Sequence, residues 1–148
     1  MAKKNVLGLD PGKTTGACFV KVSTLDKSYQ QAYQSTEIPL DKLTADFIDS
    51  LITTYRADEV VIEDVVKSGH LSKDKFNQIR AFDRCVQGAK KAGIDPDIIS
   101  PEVRKRGKKE PPKSLTGHVK DAYLIATYKY TGGDGGEADS TPSKEKED

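Results

Sequence analysis

Between Glu59 and Val66 the chain reads EVVIEDVV, with Val60, Val61 and Ile62 in unbroken succession. β-Branched side chains are stiff and suit extended backbone. A strand alternates its side chains between two faces, so three apolar residues in a row call for cover on both. Such a strand belongs in the middle of a sheet that helices cover above and below. That requirement narrows the fold to an α/β class.

The stretch Asn5 to Lys21, NVLGLDPGKTTGACFVK, supplies two more strands. Val6, Leu7 and Leu9 form a short apolar run that stops at Asp10-Pro11-Gly12. Pro11 cannot donate to a strand ladder, and Gly12 permits the backbone angles of a tight turn. A second apolar run, Ala17 to Val22, follows a short polar loop, so the two should pair as a hairpin. Asp10 then stands at the mouth of the turn. Alone, an acid before Pro-Gly is an ordinary turn former.

Lys27 to Ile38 alternates loosely and suggests a third strand on the sheet edge. Pro39-Leu40-Asp41 starts a helix, with Asp41 as its cap, and Leu43, Phe47, Ile48, Leu51, Ile52 and Tyr55 recur at helical intervals to Arg56. After the β-branched strand, Lys67 to Ser72 reads as a loop. Ser72 or Lys73 opens a second helix with Phe76, Ile79, Phe82, Val86 and Ala89 as its buried stripe. Arg80, Arg84, Gln87 and Lys91 share another face, and Gly93 ends the helix. Ile94, Ile98 and Ile99 make a short fifth strand. From Ser114 the pattern is helical again, with Leu115, Val119, Ala122, Ile125 and Ala126 on one face. The order is three strands, helix, strand, helix, strand, helix. Parallel strands joined by right-handed crossovers, extended by an antiparallel meander, give an α/β mixed five-stranded sheet flanked by helices, which resembles the ribonuclease H-like arrangement.

The 148 residues are enough for one domain, assigned to residues 1–130. Residues 131–148 carry Gly, Ser, Pro and acid with no apolar period, and read as a disordered acidic tail. The formal charge of +1 hides an asymmetry: six acidic and two basic residues in the tail, 22 basic and 17 acidic before it. Six cations crowd one segment, Arg104, Lys105, Arg106, Lys108, Lys109 and Lys113, against Glu110 alone. The plain reading is a solvated loop. The sharper one is a phosphate-binding segment. No run reaches membrane-spanning length, and Met1-Ala2-Lys3-Lys4 leads straight into a strand, which points to a cytoplasmic protein. Cys18 and Cys85 read as reduced, buried thiols, and the two histidines, His70 and His118, are too sparse for a zinc site.

Four side chains fall where this sheet would gather them. Asp10 ends the first strand, Glu63 ends the fourth, and His118 and Asp121 lie three apart near the start of the last helix, on one face. The carboxyl ends of adjacent parallel strands open onto one crevice. Carboxylates collected there repel one another unless a cation neutralises them, and hard oxygen donors favour magnesium or manganese. Each residue also has an ordinary explanation. Glu63 can be a surface residue beyond its strand, Asp121 a solvated helix residue paired with a lysine, and His118 a helix-start residue. Asp64 alternates to the opposite face from Glu63, which places it behind the site or in solvent.

VLGLDPGKTTG, VVIEDV and GHVKDAYLIA resemble, in order and spacing, the three motifs of the RuvC-like Holliday junction resolvases. The resemblance covers residues 5 to about 130, and the short length and compact motif loops look like the phage-encoded branch. It implies a bacterial or phage-infected cell, and roles in DNA recombination and repair. It implies that Asp10, Glu63, His118 and Asp121 are catalytic and hold two Mg2+ ions per site, with Mn2+ able to substitute, about 3.5–4 Å apart. The implied activity is a crossover-junction endodeoxyribonuclease acting as a homodimer on four-way DNA, paired through the helix Lys73 to Ala92, and leaving 5′-phosphate and 3′-hydroxyl ends. Lys13, His70 and the six basic residues of 104–113 would contact DNA. Many members place an aromatic residue after the strand-four Glu; here Val65 to Ser72 has none, and His70 alone can stack.

Three other readings stay open. DPGKTTG also looks like a phosphate-binding turn of actin- and sugar-kinase-like phosphotransferases, although those enclose a nucleotide between two lobes and this chain supplies one. A non-catalytic DNA-binding module of the same fold would be expected to have lost some metal-binding residues. A looser nuclease of flaps and other branched DNA would use the same carboxylates.

Overall fold

Residues 3–26, 29–65, 72–105 and 111–130 are described by a computed structural model. The expected tail, 131–148, lies outside them. β1 (Lys3–Asp10) and β2 (Thr14–Ser23) form the hairpin, with Leu9 opposite Ala17 and Asp10 opposite Gly16. β3 (Gln30–Pro39) pairs antiparallel with β2 at the edge. Helix α1 (Ala45–Tyr55) leads to β4 (Glu59–Glu63), which runs parallel to β1 with Leu9 opposite Ile62. Helix α2 (Lys73–Lys91) leads to β5 (Asp97–Ile99), parallel to β4. A short α3 (Pro101–Lys105) precedes α4 (Gly117–Thr127). The sheet order is β3-β2-β1-β4-β5. This is the mixed five-stranded sheet the sequence predicts. No helix among the described residues is long and apolar enough to cross a membrane.

The unbroken apolar run of β4 splits between two cores. Val60 and Ile62 join Leu7, Leu9, Phe19, Ile48 and Cys85 on the face that α1 and α2 cover. Val61 joins Val6, Cys18, Val20, Ala122 and Ile125 on the face that α4 covers. By strand parity Asp10 follows Val6 and Gly8, and Glu63 follows Val61, so both carboxylates belong to the α4 face. Leu9 and Ile62 are the last paired residues, so Asp10 and Glu63 follow them side by side on strands about 4.8 Å apart.

Three local expectations need correction. The first helix does not start at Asp41. Leu40–Lys42 is a single 3-10 turn, Leu43 returns to extended backbone to enter the core, and the Thr44 hydroxyl caps α1 by accepting from the Phe47 amide at 3.0 Å. On α2 the deepest residues are Ala81, Cys85, Gly88 and Ala89, while Phe76 is 49% exposed and Phe82 and Val86 only flank the core. The reason is the closeness of α1: a carbon added to Gly88 would run into the Ile48 side chain, so only small residues fit at the crossing. The last helix starts at Gly117 rather than Ser114, and the His118 amide donates to the Glu37 carboxylate of β3 at 3.3 Å. Its expected face is as read: Val119, Ala122, Ile125 and Ala126 are buried.

Two glycines let α4 lie directly on the hairpin. A Cβ on Gly8 would sit 2.7 Å from the Ala126 amide nitrogen and 2.9 Å from its Cβ. One on Gly16 would sit 2.9 Å from the His118 Cβ, with the His118 carbonyl nearer still. Real side-chain carbons do not approach so closely. The backbone of α4 thus touches the strands that carry Asp10, with no side chain between them.

Candidate active site

Asp10 and Glu63 line one small cavity of about 100 Å³ at the carboxyl ends of β1 and β4, closed by Pro11, Val65, Gln78 and Pro101. Glu63 is 9% exposed, and the Asp10 side chain 17%. Two acids this deep in one small space repel each other, and low exposure strengthens the effect because little water screens it. A cation between them would be attracted by both. His118 stands at its edge, Nδ1 3.8 Å from the Asp10 carboxylate, with half its side chain in solvent.

Asp121 does not line the cavity. It lies one turn beyond His118, on the flank of α4 shared with Tyr128 seven residues later, whose hydroxyl donates to Asp97 of β5 at 2.6 Å. The opposite flank carries Tyr123, whose hydroxyl donates to Gln30 of β3 at 3.1 Å. Asp121 thus sits on the β4 and β5 side, the side of Glu63. Of the four expected ligands, two share the cavity, a third touches its rim, and the fourth stands one turn along the helix.

Asp64 is placed differently from its sequence reading. It is exposed as expected, yet it lines the same cavity as Asp10 and Glu63. Strand alternation stops at Glu63. Beyond it the Asp64 amide donates to the Ile99 carbonyl at 2.7 Å, and its carboxylate accepts from the Val65 amide at 2.8 Å. Gln78 of α2 is the other lining residue that the sequence did not single out. Nothing local marks it: Gln78 is exposed, and only the packing of α2 brings it beside the cavity.

No three His, Cys, Asp or Glu side chains among the described residues close round a point as an all-protein metal cage requires. The donors present are nevertheless hard oxygens. Mg2+ needs only one or two carboxylates when water and substrate phosphates fill its other positions. On that chemistry Asp10 and Glu63 fit a magnesium-type cation that substrate helps to hold.

The DNA-contacting candidates are spread more widely. Lys13 is exposed on the turn between β1 and β2, and Lys113 is exposed before α4. Arg104 and Lys105 end α3. His70, Arg106, Lys108 and Lys109 lie outside the described residues.

The sheet order, the parallel β1–β4–β5 half and the acid-lined crevice at its carboxyl end define a ribonuclease H-like α/β protein. Two solved structures of RuvC are among those that it resembles. The structure of Thermus thermophilus RuvC in complex with Holliday junction substrate matches with a TM-score of 0.66 and 16% identity, over 86% of this chain and 92% of that one. The Thermus thermophilus RuvC structure matches with a TM-score of 0.67 and 15% identity, over 84% and 92%. The sequence itself matches no family model and no curated protein.

Proposed function

We propose that the protein is a metal-dependent, structure-selective DNA endonuclease that resolves four-way junctions by paired phosphodiester hydrolysis. One observation carries the reading: Asp10 and Glu63, 53 positions apart in the sequence, meet in one cavity at the ends of adjacent parallel strands, with His118 beside Asp10. The fold, shared with a RuvC that has been solved on a Holliday junction substrate, supports it.

In this proposal Asp10 and Glu63 hold the cation, and His118 and Asp121, on one side of α4, complete the donor set when DNA is bound. A cation held there would neutralise charge on the scissile phosphate and make water a better nucleophile at neutral pH. The burial of Glu63 fixes its carboxylate and keeps bulk water from competing with substrate oxygens. The glycine contacts under α4 hold His118 against Asp10. Lys13, Arg104, Lys105, Arg106, Lys108, Lys109 and Lys113 grip the flanking backbone, and His70 stacks at the branch. A two-fold dimer through α2 supplies two sites for paired cuts. Hydrolysis leaves ligatable 5′-phosphate and 3′-hydroxyl ends.

A looser nuclease of flaps and forks is the second reading, favoured by the lack of any aromatic residue between Val65 and Ser72. Cleavage of four-way junctions, flaps and linear duplex, compared in Mg2+ and in EDTA, separates the two. The expected result is symmetric paired cutting of the junction, abolished by EDTA. Asp10→Asn should lower that cutting at least about 100-fold while junction binding persists. A variant that still cuts at the wild-type rate rejects the assignment of Asp10.

A further inference from the structure

A second, larger cavity of about 450 Å³ lies where the β1–β2 turn, residues 39–41 and α2 meet. Lys13 of the β1–β2 turn and Thr14 at the start of β2 line one part, and Asn77 and Arg80 of α2 another. Pro39 and Leu40 provide an apolar surface between them. We infer that this pocket is a sugar-phosphate subsite that holds the DNA strand within about three nucleotides of the scissile phosphate. The inference rests on the nuclease reading for its substrate, and on its own geometry for the site.

The chemistry of the lining suits a nucleic-acid backbone. Three cations, Lys13, Arg80 and Arg84, face a single acid, Asp41. No carboxylate among the described residues forms an ion pair with any of the three. Arg84 is held in place: its Nη1 donates to the carbonyls of Leu40 and Leu43 at 3.0 and 3.2 Å. A guanidinium fixed in this way loses little further freedom when an anion arrives. Arg80 and Lys13 are exposed and able to close on a phosphate, while Pro39 and Leu40 offer an apolar surface to deoxyribose.

Placement ties the pocket to the cut. Gln78 lines the acidic cavity, and its neighbour Asn77 lines the basic one, so a single turn of α2 divides the two. Lys13 follows Asp10 by three residues, which limits their backbone separation to roughly 11 Å. Phosphates on one strand rise about 3.4 Å each along the duplex axis and wind around it, so that reach covers at most about three nucleotide steps. A strand cut at Asp10 and Glu63 passes over the turn and comes to rest on Lys13 and Arg80. Lys13 is expected from the sequence to contact DNA and Arg80 only to share a helix face; the pocket joins them into one site.

The test uses the full chain and a synthetic four-way junction in EDTA, with affinity measured by fluorescence anisotropy across a salt series. Lys13→Gln with Arg80→Gln should reduce the slope of log affinity against log salt by about 1.8, for two lost phosphate contacts. Lys91→Gln, an exposed cation on the same helix paired with Asp46, should leave the slope at the wild-type value. Uncharged methylphosphonate linkages one to three nucleotides from the mapped cut should weaken the wild type more than the double variant. An unchanged slope in the double variant, or equal losses to methylphosphonate in both proteins, overturns the subsite. If the wild type cuts DNA and that result appears, the subsite alone falls. If the wild type cuts no DNA in Mg2+, the nuclease reading falls, and the salt slopes still decide whether the pocket binds phosphate.

Discussion

Replacing Gly16 with alanine isolates the contact that brings α4 to the carboxylates. The added carbon would stand 2.9 Å from the His118 Cβ, where ordinary contact begins near 3.4 Å. The helix must therefore lift by at least about 0.5 Å, and more to clear the His118 carbonyl. That strain falls on a well-packed layer of Cys18, Val119 and Ala122, where overpacking costs about 1–3 kcal/mol. For a chain of this size each kcal/mol lowers Tm by about 2–4 °C. The lift also draws His118 away from Asp10, now 3.8 Å distant. Misplacement by about 1 Å can cost roughly 100-fold in rate, so a loss of about 10- to 100-fold in junction cleavage is expected at temperatures where the variant stays folded. Thermal unfolding and single-turnover cleavage measure the two effects separately. Gly12→Ala is the control, because its added carbon meets only the Thr14 carbonyl at 3.3 Å, within its own turn. If Gly16→Ala melts and cuts like the wild type, the claim that bare backbone contact sets the site geometry is wrong.

Two further outcomes follow from the structure. Thr44→Ala should destabilise the fold by about 1 kcal/mol in urea unfolding, whereas Asp41→Ala, outside the helix, should change it by less than about 0.5 kcal/mol; the reverse order would restore Asp41 as the cap. Burial pushes the Cys18 thiol up to about 12 from an ordinary 9.0, and raises Cys85, Tyr123, Tyr128 and Tyr130 as well. Above pH 9 the unfolded chain loses thiol protons that the folded chain keeps, so stability is whole below pH 9 and falls as pH rises toward 12. Cys18 alone accounts for a slope approaching about 1.4 kcal/mol per pH unit in that window. Unfolding curves between pH 8 and 11 read this directly, and a flat profile would contradict the burial of both thiols.

Much of the architecture was legible because it is written in local periodicity. Val60-Val61-Ile62 demanded a strand covered on both faces, and it lies between β1 and β5 with a core on each side. Asp10-Pro11-Gly12 marks the hairpin turn, and the acids that end β1 and β4 are visible as strand ends in the sequence. The correct face of α4 followed from three- and four-residue spacing. The stripe on α2 did not, since spacing shows which residues share a face but not how closely another helix presses on it.

The sequence by itself determined the order of strands and helices, the two-sided sheet and the chain positions of Asp10, Glu63, His118 and Asp121. Only the tertiary structure decided that Asp10 and Glu63 share a cavity, that Asp64 and Gln78 line it too, and that Lys13 and Arg80 line a second one. Periodicity fixes where a side chain points relative to its own element. Which elements meet, and how near, depends on strand register and on small contacts such as Gly8 and Gly16 beneath α4, which no local pattern records.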